Sequence, residues 1–191
     1  MNTMVRSLLR ESLENVPIVD KGGYQYFVHP LTDGANAIEP LLLEEVTLEL
    51  MKESTFDCDK IVTVEAMGIP LATLLSHKTR KPFVIIRKRQ YYLPGEVEIT
   101  ASTGYSKNNL YINGLEKGDR VIIVDDVLST GGTLIQTIKT LKEVCQVDVR
   151  EVHLIFNKHE HPEEIEAAIG MPINVMLNVK VVDGKVVEFT P

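Results

Sequence analysis

The chain has 191 residues, a mass of 21.4 kDa and a formal net charge of −7 at pH 7. This length fits one ordinary domain, and a hydrophobic content of 44% is enough for a sizeable core. The acidic balance argues against a general nucleic-acid binder, which usually carries a basic face. Cys58 and Cys145 have no partner at metal-ligand spacing and are typical of reduced cytosolic thiols. The sequence shows no signal peptide and no bilayer-spanning apolar run, so we expect a cytoplasmic protein without a membrane partner.

Short apolar runs alternate with helical patterns through the middle of the chain. Apolar residues three and four apart predict one helix at 43–50 and another at 134–145. Continuous apolar runs predict buried strands at 61–64, 82–86, 120–124 and 152–156. Buried strands between helices are typical of a parallel sheet that is covered on both faces. We therefore predict an α/β fold, a single domain over 1–191 with a central parallel sheet flanked by helices.

Three segments interrupt this alternation. Within 17–30, the sequence Lys21-Gly22-Gly23 predicts a turn between two extended runs. Within 175–189, Asp183-Gly184 predicts a two-residue hairpin turn. The segment 88–113 is polar and rich in Tyr, Gly, Ser and Asn, and long excursions of this kind often form lids or binding loops.

The strongest feature is the string VIIVDDVLSTGGT at 121–133. A buried strand is predicted to end in two adjacent carboxylates, Asp125 and Asp126, before a Ser, Thr and Gly stretch and the next helix. Glycines at a strand-to-helix turn let backbone N–H groups point into a concavity, where the helix dipole favours an anion. The string therefore predicts a phosphate cradle, formed by Ser129, Thr130, Gly131, Gly132 and Thr133.

The two carboxylates need another task, because they would repel a phosphate. They can accept hydrogen bonds from two neighbouring sugar hydroxyls, or hold magnesium through its waters. A ligand with a phosphate at one end and a vicinal diol near it is a ribose 5-phosphate. An Asp pair beside a polar helix N-cap is the plain structural alternative. The P-loop pattern and the glycine pattern of dinucleotide-binding folds are absent from the sequence.

The string resembles the motif that binds 5-phosphoribosyl-1-pyrophosphate (PRPP) in the type I phosphoribosyltransferases. The chain resembles most the archaeal-type hypoxanthine (hypoxanthine/guanine) phosphoribosyltransferases of purine salvage. The resemblance implies a sheet core at about 36–160, a hood over the base from about 1–35 and 160–191, and a flexible catalytic loop at about 93–110. It also implies PRPP and a purine base as substrates, a homodimer, and Mg²⁺ held indirectly by Asp125 and Asp126 through water or ribose.

Three further places resemble parts of this family. Glu65-Ala66-Met67-Gly68 follows the first core strand, where the family has its pyrophosphate loop, although adenine enzymes carry an arginine where Met67 stands. Lys88 matches an Arg-Lys dipeptide of the adenine enzymes and becomes a candidate for binding pyrophosphate. Tyr105 matches the tyrosine of their catalytic loop. A plain turn and a solvated charge run remain alternatives for the first two.

Lys158 is the candidate for recognising the base. In 6-oxopurine enzymes, a lysine near this place hydrogen-bonds the exocyclic oxygen and N7. Lysine only donates, so it suits an oxo group better than the amino group of adenine. Gly104 stands where adenine enzymes usually carry Glu, so we expect hypoxanthine or guanine as substrate. Human-type enzymes carry an acidic residue in place of Ser129, and its absence here leaves the proton acceptor unassigned.

Two alternative functions stay open. One is specificity for adenine or xanthine, and the other is a PRPP-sensing transcriptional regulator, since one fold can serve binding alone. The sequence contains no separate helix-turn-helix segment and no excess of basic residues. Both observations speak against the regulator. His153, His159 and His161 have poor spacing for one metal site, and we expect them to serve packing or the surface.

Overall fold

The computed structural model describes residues 7–20, 22, 23, 25–103 and 106–191, and the backbone alone at 101–103 and 106–108. Within these ranges the helices are α1 (Ser7–Glu11), α2 (Pro30–Asp33), α3 (Pro40–Glu53), α4 (Gly68–Thr79), α5 (Gly132–Glu143) and α6 (Pro162–Ile169). The strands are β1 (Ile18–Asp20), β2 (Gln25–Phe27), β3 (Lys60–Val64), β4 (Phe83–Ile86), β5 (Val97–Thr103), β6 (Ser106–Ile112), β7 (Arg120–Leu128), β8 (Asp148–Asn157), β9 (Asn174–Val182) and β10 (Lys185–Glu188). Among the described residues, no helix has the length and apolar character needed to cross a membrane.

Six strands form the central sheet, in the order β10-β9-β8-β7-β3-β4. Pairing is parallel from β9 through β8, β7 and β3 to β4, whereas β10 runs antiparallel to β9. Parallel neighbours need crossover connections, which α4, α5 and α6 provide after β3, β7 and β8. The segments that follow β3, β4, β7 and β8 therefore meet at one edge of the sheet. The predicted α/β fold with a parallel sheet flanked by helices is confirmed.

The central strand β7 is buried on both faces. Ile122 and Val124 belong to a hydrophobic cluster with α3 and α4, whereas Val121 and Ile123 belong to a second cluster with α5 and α6. All four are 0% exposed. Each such side chain contributes about 1.5–3 kcal/mol by leaving water. Burial on both faces explains why the sequence of this strand is continuously apolar.

The four predicted core strands are confirmed as β3, β4, β7 and β8, and the two predicted helices as α3 and α5. Two boundaries differ. Helix α5 ends at Glu143, so Cys145 lies beyond it. Strand β7 continues to Leu128, because its parallel pairing with β8 extends past the apolar run to Asn157.

The segment at 88–113, predicted as a long loop, contains the antiparallel hairpin of β5 and β6. Its apolar side chains alternate with polar ones, and Ile99, Leu110 and Ile112 are at most 3% exposed in the cluster with α5. Alternation of this kind is the mark of a half-buried strand, which the polar composition obscured. The closing motion of a catalytic loop at 93–110 stays a prediction.

The extended runs on either side of the turn predicted at 21–23 are β1 and β2, and Lys21 itself lies outside the described residues. The hairpin predicted at Asp183-Gly184 forms. Strands β1 and β2 pair antiparallel in a small sheet of their own. Asp183 and Gly184 have φ angles of 48° and 71° and join β9 to β10, as a two-residue turn of the primed type requires. Strands β9 and β10 thereby extend the central sheet. That the terminal segments act as a hood over a base stays a prediction.

His29 fastens the amino-terminal segment to the sheet. It is 0% exposed, and its ring lies 5.1 Å from the ring of Phe156. Its Nδ1 accepts a hydrogen bond from the Leu31 backbone N at 3.2 Å, and its Nε2 lies 2.8 Å from Ser12 Oγ. Burial lowers the pKa of His29 to about 4, and the charge of Lys158 lowers it further, although Asp33 opposes this. His29 is therefore neutral in the folded protein near pH 7.

This histidine gives a pH-dependent stability. Its pKa rises to about 6.5 on unfolding, so its contribution is fully present above that pH and is lost as the pH falls towards about 4. We expect the loss to reach about 3 kcal/mol of unfolding free energy. Denaturant titrations of wild type and His29→Asn between pH 7 and pH 4 measure it, because Asn keeps an acceptor but does not titrate. Equal pH dependence in the two proteins would contradict this assignment.

Candidate active site

Asp125 and Asp126 lie near the carboxyl end of β7 and are partly buried. The prediction that the strand ends at these carboxylates is wrong, because β7 stays paired with β8 through Val127 and Leu128. The Asp125 Oδ1 accepts a hydrogen bond from the backbone N of Asp126 at 3.1 Å. Pairing with β8 at Asp125 and again at Val127 therefore fixes the backbone that carries the two carboxyl groups.

The surroundings of this pair disfavour negative charge. Burial raises the pKa of Asp125 well above its usual range, and the charge of Asp126 raises it further. Burial also raises the pKa of Asp126 to about 6, although a hydrogen bond with Asp125 and the charge of Lys158 oppose the rise. Two partly buried carboxyl groups of this kind are stabilised by hydroxyl donors or by a cation.

The segment predicted to form a phosphate cradle comes next along the chain, at 129–133. Gly131 is the N-cap of α5, with φ 77°, and no described side chain caps this helix. Its first N–H groups therefore keep their hydrogen-bonding capacity for an anion. The exposed side chains of Ser129 and Thr130 add hydroxyl donors. A cavity of about 110 Å³ opens at the loop, and its lining includes Asp125 and Thr133.

The two positions of the cradle at 131 and 132 are glycine for different structural reasons. A Cβ atom on Gly131 would lie 2.4 Å from Cδ1 of Ile165 in α6, and its positive φ also favours glycine. A Cβ atom on Gly132 would meet only Thr130 Oγ1, at 3.9 Å. Gly131 is therefore required by packing inside the protein. Gly132 leaves space on the open side, where a ligand can approach the backbone.

The turn after β3 lies against the carboxylate pair. A Cβ atom on Gly68 would come within 2.0 Å of Thr63 Oγ1 and 2.5 Å of Asp125 Oδ1. Only glycine fits this close approach. The Met67 side chain points the other way along the turn, since its Sδ would lie 3.0 Å from a Cβ atom on Gly34. Met67 thus contacts the amino-terminal segment.

Glu65 ties this turn to the end of β4. Its Oε2 accepts hydrogen bonds from Arg87 Nε at 2.9 Å and from the Lys88 backbone N at 3.0 Å. The bond from Lys88, together with the charge of Arg87, outweighs burial and lowers the pKa of Glu65. The peptide bond between Glu65 and Ala66 is cis. The two hydrogen bonds that Glu65 accepts join the turn to the end of β4.

The three cations at 87–89 have separate environments. Arg87 pairs with Glu65, and the Arg89 guanidinium lies 5.6 Å from the centroid of the Tyr91 ring. Lys88 is exposed, and its ammonium has no ion-pair partner among the described residues. Lys88 therefore stays a candidate for binding an anionic ligand. Tyr105 and Gly104 lie outside the described residues.

Lys158 lies beside the cradle. Its backbone N donates to the Leu128 carbonyl oxygen at 2.8 Å, which joins the end of β8 to the end of β7. Its ammonium lies 3.8 Å from the ring centroid of Phe27 and 4.5 Å from that of Tyr26. A cleft of about 430 Å³ is lined by Lys158, His159, Ser129 and Thr130. The predicted base-recognising lysine and the predicted phosphate loop therefore share one cleft.

Three groups at this edge escape prediction from the sequence. Asn157, 0% exposed, holds the turn after β8 by accepting from the His159 backbone N at 2.8 Å and donating to Asn178 Oδ1 at 2.9 Å. Its signal is a polar residue that ends an apolar strand. Tyr26 contacts the Lys158 ammonium with its ring and donates its hydroxyl to Asp33, and no local pattern identifies either residue.

The histidines serve packing and the surface. His153 is 1% exposed, and its Nε2 lies 2.6 Å from Glu151 Oε2. His161 is exposed and lies beside Glu163. Among the described residues, no group of three or more His, Cys, Asp or Glu side chains could hold a metal ion by itself.

Comparison with known proteins agrees with this geometry. Residues 42–184 match the family model of the phosphoribosyl transferase domain. The chain is 49% identical over 183 residues to the hypoxanthine/guanine phosphoribosyltransferase of Methanocaldococcus sp. (strain FS406-22), which covers 95% of this chain and 93% of the relative. It is 49% identical over 178 residues to that of Methanothermobacter thermautotrophicus, covering 93% of this chain and 92% of the relative.

Solved structures share the fold. The adenine phosphoribosyltransferase of Leishmania donovani superposes with a TM-score of 0.73 at 19% identity, covering 92% of this chain and 80% of that one. That of Rhodothermus marinus gives a TM-score of 0.70 at 24% identity, covering 93% of this chain and 99% of that one. The fold, the cradle and the matched family together show that the chain belongs to the phosphoribosyltransferase family.

Proposed function

We propose that this enzyme transfers the 5-phosphoribosyl group of PRPP to hypoxanthine or guanine, giving IMP or GMP and pyrophosphate, in purine salvage. The observation that carries the proposal is the partly buried pair of Asp125 and Asp126 beside the open N-terminus of α5. The names of the relatives that are 49% identical support the 6-oxopurine base. Lys158, in the adjoining cleft, supplies the matching donor.

The reaction is a displacement at the anomeric carbon of the ribose. The bond from this carbon to a pyrophosphate oxygen breaks, and a bond to a purine nitrogen forms on the opposite face. Ser129, Thr130, Gly131, Gly132 and Thr133 bind the 5-phosphate, and Asp125 and Asp126 accept hydrogen bonds from the ribose hydroxyls. When PRPP is held in this way, much of its translational and rotational entropy is lost on binding, before the reaction step. The barrier of the reaction step is lower as a result. The chain's main contribution is therefore positioning and electrostatic stabilisation.

The pyrophosphate end of PRPP would extend towards the turn at 65–68 and Lys88. Gly68 keeps this turn against Asp125, and Glu65 joins it to the Lys88 backbone. The exposed Lys88 ammonium can balance charge on the leaving group. Ala66 and Met67 contribute the backbone of the turn, and Met67 itself brings no charge.

The site suits Mg²⁺ that is held partly by the substrate. Mg²⁺ prefers oxygen ligands and is usually bound by one or two carboxylates together with substrate phosphates and water. Asp125 and Asp126 are adjacent and partly buried, and a bound cation would compensate their charges. These two residues would hold the ion, directly or through water and ribose. When bound, Mg²⁺ neutralises charge on the pyrophosphate.

Other parts of the proposal rest on family resemblance. These are the participation of Tyr105 in catalysis, the closing of the segment at about 93–110 over the site, a homodimer, and a cytoplasmic location. Closing of that segment would keep water from hydrolysing PRPP.

The function is tested by pyrophosphate release from PRPP and Mg²⁺ with hypoxanthine, guanine, xanthine and adenine in parallel. We expect turnover with hypoxanthine or guanine. Turnover with adenine alone would refute the account of the base pocket. PRPP binding without turnover on any base would contradict the proposed enzyme and favour a PRPP-sensing regulator.

The carboxylate pair gives a second prediction. Replacing both residues, Asp125→Asn and Asp126→Asn, should lower kcat/KM by about a thousandfold, because the charged acceptors for ribose are lost. The free energy of unfolding should stay equal or rise, since two partly buried like charges are removed.

Asp183→Asn is the matched control, because it removes one carboxylate at an exposed turn where Asn also tolerates positive φ. It should leave turnover and stability unchanged. Wild-type turnover in the double variant would reject the assignment of the pair.

A further inference from the structure

Lys158 is held by the amino-terminal segment. Its ammonium lies over the rings of Phe27 and Tyr26, at 3.8 and 4.5 Å from their centroids. A cation within about 6 Å of an aromatic centroid is attracted by the negative face of the ring. Both aromatic residues lie in β2, outside the central sheet. A separate small hairpin therefore reaches the residue that follows β8.

The hydroxyl group of Tyr26 is hydrogen-bonded to the Asp33 carboxylate, which accepts further hydrogen bonds from its own segment. Tyr26 Oη donates to Asp33 Oδ1 at 2.5 Å. The other oxygen, Oδ2, accepts from the His29 backbone N at 2.9 Å and from Thr32 Oγ1 at 2.7 Å. Burial raises the pKa of Asp33, but these hydrogen bonds and the charge of Lys158 outweigh it, so its pKa lies below the usual range. Asp33 is therefore ionised at neutral pH.

The three charges of Asp33, Lys158 and Asp126 act on one another. The positive charge of Lys158 lowers the pKa of Asp33 and also that of Asp126, although burial keeps the pKa of Asp126 above its usual range. The charge of Asp33 in turn raises the pKa of Asp126. Lys158 thus lies within electrostatic reach of one carboxylate in α2 and one in β7. Its ammonium is in contact with the two rings of β2, and the hydroxyl of one of these rings is bonded to Asp33.

We propose that Tyr26 and Asp33 form a clamp that positions the Lys158 ammonium for the exocyclic oxygen of a 6-oxopurine. Tyr26 presents its ring face to the ammonium and its hydroxyl to Asp33, and Asp33 supplies the counter-charge. The two are positioning residues, since they act on the base through Lys158. The clamp rests on the proposed function and extends it, because it assigns part of the base specificity to a segment outside the sheet.

Calorimetric titrations with IMP and with ribose 5-phosphate test the clamp. The ratio of the two dissociation constants measures what the base adds to binding. We expect Asp33→Asn and Tyr26→Phe to weaken IMP binding by about threefold to thirtyfold, the range of a hydrogen bond to a charged group, because both variants keep the ring and alter its bond to Asp33. Ribose 5-phosphate, which has no base, should lose much less affinity than IMP in these variants, so the ratio of the two dissociation constants should change. Tyr26→Leu, which also lacks the ring, should weaken IMP binding more than Tyr26→Phe.

A double-mutant cycle separates positioning from general structural damage. In Lys158→Met, the ammonium is gone, so adding Asp33→Asn should cause no further loss of IMP affinity. Asp183→Asn, at the exposed β9–β10 turn, is the charge-matched control and should change neither affinity.

Two results would overturn the clamp alone. One is an unchanged affinity ratio in Asp33→Asn and Tyr26→Phe when wild type prefers IMP. The other is an equal loss from Asp33→Asn with and without Lys158. Equal binding of IMP and ribose 5-phosphate by wild type would overturn the proposed base pocket, and the clamp with it.

Discussion

Two adjacent carboxyl groups in a paired, largely buried strand are the constraint around which this edge of the molecule is built. Asp125 and Asp126 follow four residues that are 0% exposed, and burial raises both of their pKa values. A fold gains nothing from like charges in such a place unless a ligand compensates them. The neighbouring turn after β3 packs so closely against Asp125 that only glycine fits at position 68.

Sheet topology arranges the rest of the site in a line. Strands β8, β7 and β3 are consecutive neighbours and parallel, so their carboxyl ends present Lys158, the cradle and the turn at 65–68 side by side. A substrate laid along this edge meets a donor for its base, a ribose-phosphate site and a pyrophosphate site in that order. This order matches the proposed transfer without a protein nucleophile.

Much of this could be predicted from the sequence because the chemistry is local. The string at 121–133 holds carboxylates, hydroxyls and glycines in one strand-turn-helix unit, so its spacing alone indicates the ligand. The hairpin of β5 and β6 escapes prediction because polar residues mask its alternating apolar side chains. Tyr26 and Asp33 escape prediction for another reason: β2 and α2 bring them near Lys158 only through tertiary packing, which leaves no periodic signal.

The most direct test of the central claim is a crystal structure of the protein with IMP bound. The account predicts the 5-phosphate on the loop at 129–133, the ribose hydroxyls on Asp125 and Asp126, and the purine oxygen within hydrogen-bonding distance of Lys158 Nζ. A nucleotide bound at another edge of the sheet, or with its ribose away from the carboxylate pair, would contradict it.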